Sequence, residues 1–132
     1  ISKKMLENIY LQIRFDKKLD EHGYASVEEY NDSGKPREFL IEINPLIGAR
    51  EILDTLAHEM VHIKQYVYGE TNEALTRWKG ERIHDDVDYY DQPWEKDAWS
   101  KEKLLSAKVY KILKVQEEKH EAKLRKMASR EK

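Results

Sequence analysis

The chain contains no cysteine. That excludes a disulfide framework and any thiolate metal site, so a metal held here must be held by histidine and carboxylate groups. No apolar run approaches the ~18 residues that a membrane span requires, and 38% of the residues are charged against 39% hydrophobic. A soluble chain with no membrane partner is expected. Ile1 is followed by charged residues rather than by the apolar core of a signal peptide. With the lack of cysteine, this leads to an expected cytoplasmic location. Internal repeats are lacking too. At 132 residues there is room for one domain with a real core, and so for one site.

Charge is unevenly spread. Residues 101–132 carry eleven Lys or Arg against five Glu, a surplus of six, so an overall charge of -2 leaves -8 on residues 1–100. An acidic body with a basic end results.

Between Ile9 and Phe15 apolar residues alternate, with Ile9, Leu11, Ile13 and Phe15 on one side and Tyr10, Gln12 and Arg14 on the other. Period two predicts a half-buried strand. Tyr24 to Tyr30 is a second strand candidate. Asn31-Asp32-Ser33-Gly34-Lys35-Pro36 gathers turn formers, after which Phe39, Ile41 and Ile43 resume the alternation. An antiparallel meander is expected. Past Pro45 and Gly48 the period changes to about 3.6. Ile52, Leu53, Leu56, Met60, Ile63 and Val67 then form one apolar stripe on a helix ending near Gly69. Residues 70–92 read as irregular, with a short strand around Thr76 to Trp78 and an acidic stretch at Asp85, Asp86, Asp88 and Asp91. Pro93 suits the first position of a second long helix, whose stripe of Leu105, Val109 and Ile112 should face the core. Beyond Gln116 the stripe fails. The fold class is therefore α+β: a small antiparallel sheet packed on the first helix, with a long C-terminal helix crossing it.

His58-Glu59-Met60-Val61-His62 is an HExxH sequence inside the segment whose periodicity independently predicts a helix. Positions i and i+4 share a helix face, so both imidazoles can reach one tetrahedral ion. Glu59 follows the first histidine directly, where it would miss the metal and could reach a water bound to it. Zinc lowers the pKa of such a water towards about 7, and a carboxylate can take its proton as the oxygen attacks a carbonyl carbon.

Catalytic zinc usually has three protein ligands. Glu95, in the first turn of the helix that begins at Pro93, is the first choice for the third, because small Ala98 one turn on would let the two helices approach closely. His84 is the main rival, and Asp97, Asp91 and Glu73 are further candidates. Tyr89 or Tyr90 could donate to an oxyanion, although packing is the simpler role for either. Trp78, Trp94 and Trp99 suit core or cleft-wall positions, with Trp78 a candidate substrate contact. His22 and His120 read as surface residues. The basic C-terminal strip reads most simply as a solvated helix face, while Lys and Arg so arranged could also hold nucleic acid phosphates.

HEMVH on a helix, followed by a Glu-x-x-Ala helix at Glu95 to Ala98, resembles the gluzincin metallopeptidases. The fuller pattern adds Leu56-Ala57 before the motif, then Trp78-Lys79-Gly80 and Tyr90-Asp91-Gln92-Pro93-Trp94-Glu95, and is similar to small SprT-like or minigluzincin proteins of bacteriophages. That resemblance covers about Ile9 to Leu105. It implies a zincin-like domain over residues 1–116 with a charged tail over 117–132, a zinc cofactor on His58, His62 and Glu95, and hydrolysis of peptide or protein substrates. Many relatives carry Asp directly after the Ala of the second motif, where this chain has Trp99. SprT-type enzymes use a histidine as third ligand, which keeps His84 in contention. The alternative function is a non-catalytic binding module whose basic C-terminal helix contacts nucleic acid or an acidic partner.

Overall fold

Phe39, Leu40 and Ile41 are apolar in succession, the pattern of a strand covered on both faces, and they lie in the middle strand of the sheet. The structure, a computed structural model, describes residues 7–130. Strands β1 (Tyr10–Phe15), β2 (Gly23–Tyr30) and β3 (Pro36–Ile43) come first, then helix α1 (Ala49–Val67). A small hairpin of β4 (Arg77–Trp78) and β5 (Glu81–Arg82) follows, with a 3-10 turn at Tyr89–Asp91 and helix α2 (Pro93–Arg130).

β2 and β3 form an antiparallel hairpin. Its turn is held by Asn31, whose Oδ1 accepts from the backbone N–H groups of Ser33 and Lys35, and by Gly34 at φ +76°, where a side chain would be strained. β1 adds to the other edge of β3 in parallel, from Tyr10 opposite Glu38 to Phe15 opposite Ile43. The architecture is α+β as expected, but the sheet is mixed, in the order β1-β3-β2, rather than an antiparallel meander. Chain direction still alternates from strand to strand. What differs is position: β3 has no face to give to water and takes the centre, which leaves the more polar β1 and β2 as edges. β2 itself then supplies the return path that a parallel pair needs.

The core is built where Phe39, Ile41 and Ile43 of β3 meet Ile63, Tyr66 and Val67 of α1, with Ile52, Leu56 and Met60 packed around them. Each such side chain contributes roughly 1.5 to 3 kcal/mol on burial. α1 lies over β2 and β3 rather than over β1. Ile9 and Leu11 still reach the core, but Ile13 and Phe15, expected inside, are 45% and 58% exposed because no helix covers that end of β1. α1 stops where Gly69 takes φ +67° and its N–H donates to the Tyr66 carbonyl.

α2 packs on α1 through Trp94, Ala98 and Ser106, all buried. Its expected inner stripe ends early. Leu105 is half-buried, whereas Val109 and Ile112 are exposed, so the core-facing reading of those two is corrected. Arg50, in the first turn of α1, lies over the Tyr110 ring and marks where the helix pair ends. Farther on, the side chains of residues 117–130 are all exposed. Among the described residues no helix is long and apolar enough to cross a membrane.

Gly23 begins β2 against both β3 and α1. A Cβ there would lie 2.7 Å from the Glu42 carbonyl oxygen and 2.7 Å from Thr55 Cγ2. The carbonyl is held in the sheet and cannot yield cheaply, so Gly23→Ala should lose about 1 to 3 kcal/mol in denaturant unfolding. An unchanged midpoint would show that β2 can shift away from its neighbours at this point.

Candidate metal centre

Next to the apolar stripe of α1, three polar residues are buried almost as deeply as the core: His58 at 8%, Glu59 at 6% and His62 at 8% exposure. Buried polar groups require partners. The two imidazoles, one helical turn apart, meet edge to face, with their Nε2 atoms 3.2 Å from each other. Glu95 comes from α2, whose first turn is fixed by Pro93 and by the Gln92 carbonyl accepting from the N–H groups of Glu95 and Lys96. Its Oε2 lies 2.9 Å from His58 Nε2 and its Oε1 3.1 Å from His62 Nε2. Ala98 is fully buried, and its small side chain lets α2 come close enough for this contact. His58, His62 and Glu95 form a group able to hold a metal ion, their ligand atoms all within 4.8 Å of one another.

The outer ring nitrogens are also engaged. His58 Nδ1 lies 2.7 Å from Glu102 Oε2. A carboxylate only accepts, so Nδ1 carries a hydrogen, and a cation replacing the proton that Nε2 directs at Glu95 would be bound through Nε2. His62 Nδ1 lies 2.9 Å from Gln65 Oε1. Gln65 is fully buried, and its amide nitrogen donates to the Trp94 carbonyl and to Asp97 Oδ2, both at 2.9 Å. Its oxygen must therefore face His62, whose Nδ1 carries a hydrogen as that of His58 does.

Electrostatics follow from this crowding. Burial alone would lower the histidine pKa values, but hydrogen bonding to Glu95 and the charges of Glu95 and Glu59 outweigh it, and both are raised. Burial pushes Glu95 the other way and is outweighed by the two histidines, which hold it at about 2. Protons on the imidazoles thus stand in for a cation beside the Glu95 carboxylate. Glu59 is different: burial raises it to about 7, with the histidines opposing only in part.

A cavity of about 660 Å³ opens beside the cluster, lined by His58 and Glu59 with Gly23, Tyr89, Tyr90 and Trp99 among its walls. Tyr89, beside the cluster on the cavity wall, has its pKa raised by partial burial and then by the charge of Glu95 and a hydrogen bond to it. Tyr90 is 72% exposed and stacks on Trp99 at the cavity wall.

Other candidates lie elsewhere. His84 is exposed and Trp78 sits in the β4–β5 hairpin under Lys79, and neither lines the cavity. Asp97 accepts from Gln65 and Lys101, Asp91 is exposed beside Lys96, and Glu73 accepts from the Tyr30 hydroxyl. His120 is on the exposed end of α2, while His22 is exposed yet lines the cavity. Sequence reasoning missed Gln65 and Glu102. Helical phase was the available signal, since Gln65 falls one turn after His62 and Glu102 two turns after Glu95.

The raised Glu59 carboxyl yields a test on metal-free protein. Its folded pKa of about 7 exceeds the ordinary 4.5, so the folded state holds this proton more tightly than the unfolded chain. The resulting stabilisation is complete below about 4.5 and is lost as pH rises through about 7. Glu59→Gln has no such loss, so its stability relative to the parent should climb over this interval by on the order of 3 kcal/mol in urea titrations. A pH-independent difference would mean that the carboxylate is solvated. No protein-family model, curated protein or solved structure matches this chain.

Proposed function

We propose that this chain is a zincin-like peptidase of the gluzincin kind, binding zinc through His58, His62 and Glu95. The observation that carries the reading is the placement of Glu59: buried against the three-residue cluster, facing the cavity, and not one of the converging ligands. A purely structural site has no use for such a carboxylate.

Zinc fits the donor set. Bonds of about 2.0 to 2.1 Å in a tetrahedral shell leave neighbouring ligand atoms about 3.3 Å apart. The two Nε2 atoms are 3.2 Å apart, close to that spacing, and Glu95 sets Oε2 2.9 Å from His58 Nε2 and Oε1 3.1 Å from His62 Nε2, so its carboxylate reaches both from one side. Two neutral imidazoles and one carboxylate also form a ligand type that zinc accepts. When bound, the ion supplies Lewis acidity, polarising a substrate carbonyl and lowering the pKa of water.

The chain's own residues supply the rest. Glu59 accepts a proton from the attacking water and returns it to the leaving amine, the two roles open to a carboxylate that faces the cavity without being a ligand. The Tyr89 hydroxyl donates towards the oxyanion that develops on the carbonyl oxygen. Glu21, His22 and Gly23 place the start of edge strand β2 along the cavity, so an extended substrate backbone can lie beside it.

Glu59→Gln should bind zinc normally while hydrolysis of a denatured protein substrate falls ~10²- to 10⁴-fold. Near-parental turnover would remove Glu59 from the mechanism. Metal analysis should show zinc affinity reduced by more than ~100-fold in Glu95→Ala and retained in His84→Ala. The reverse pattern would make the site a three-histidine one and overturn the gluzincin reading.

A further inference from the structure

Position 99, one turn beyond Glu95, faces His58 with an indole, the ring centroids 6.0 Å apart. Trp99 offers no acceptor to the imidazole. The acceptor comes from one turn farther along. Glu95 and Glu102 are seven residues apart on α2, nearly two helical turns, so they project from the same side of the helix about 10.5 Å apart along its axis. The His58 ring lies between them, with Nε2 2.9 Å from Glu95 and Nδ1 2.7 Å from Glu102. Glu102 has 18% of its side chain exposed, and the neighbouring Lys103 is committed to Asp54 at 2.8 Å.

We infer that Glu102 is the positioning carboxylate of His58, fixing its ring orientation and its Nε2-ligand tautomer, while neutral Gln65 does the same for His62. This rests on the metal-centre reading above. The two histidines are thereby held by unlike partners. Glu102 is a carboxyl group at the cavity edge, and a carboxylate acceptor makes an imidazole a more strongly donating ligand than an amide acceptor does. Gln65 is neutral and sealed inside the helix pair, so it orients His62 without adding charge. Trp99, stacked on Tyr90, walls the flank of His58.

The test uses the full chain titrated with Zn²⁺ against a competing chelator, together with nitrogen-15 NMR of the histidines. Glu102→Ala should weaken zinc binding by ~10- to 100-fold. In the zinc-loaded protein it should abolish the solvent-protected Nδ1–H signal of His58 while leaving that of His62 in place. Glu102→Gln, which can still accept through its amide oxygen, should keep the His58 signal and recover part of the affinity. The unaffected His62 signal separates loss of positioning from loss of fold. If the parent binds zinc and Glu102→Ala matches it in affinity and in the His58 signal, the positioning role is overturned and the metal centre stands. If the parent binds no zinc, both readings fall together.

Discussion

Gln65 and Ala98 lie where α1 and α2 meet, neither with measurable exposure. Ala98 sets how near the helices come, and Gln65 ties them by donating from α1 to a backbone carbonyl and a carboxylate of α2. Everything at the candidate centre depends on that joint, because α1 carries both histidines and Glu59 while α2 carries Glu95 and Glu102. Ligands on two rigid helices are placed more exactly than ligands on loops. The same arrangement would make docking of the helices and binding of a metal one thermodynamic event. A metal bound only when the helices are together stabilises them by mass action.

The joint also concentrates charge. Three carboxylates and two imidazoles share a small, largely dry volume, and the chain resolves this by giving the groups unlike surroundings. Glu95 is held ionised by the histidines, whereas Glu59, with less support, is pushed towards the neutral form. Carboxylates this close and this different are suited to different work: one to hold a cation, the other to exchange a proton. Acid should favour protons over metal at the imidazoles, since both histidines already have raised pKa values beside Glu95.

Much of this was legible from residue order. The 3.6-residue stripe from Ile52 to Val67 placed His58, Glu59 and His62 on a helix, and Pro93 located the helix carrying Glu95. These are local signals, fixed by backbone geometry within a few turns. Sheet order was not legible in the same way. The β1 alternation is real, yet whether its partner is β2 or β3 depends on which strand α1 covers, a tertiary matter. For the same reason Ile13, Phe15, Val109 and Ile112 look like core residues in the sequence and are exposed in the fold. Periodicity states which side of an element is apolar, but not how far its covering partner extends. Gln65 and Glu102 were not legible as site residues, because a residue that holds a ligand from behind has no motif of its own.

Glu95 and Glu102 act on one imidazole because of the number of residues between them as much as their identity. An additional residue anywhere in that interval would swing Glu102 by about 100° around the helix axis and leave Glu95 where it is. Ser100 and Lys101, both exposed within the interval, could change side chain with little effect on His58. A change in their number would separate the two carboxylates onto different sides of α2. The centre thus reads chain length as well as chemistry, and single-residue insertions or deletions between positions 95 and 102 are the sequence changes it can least absorb.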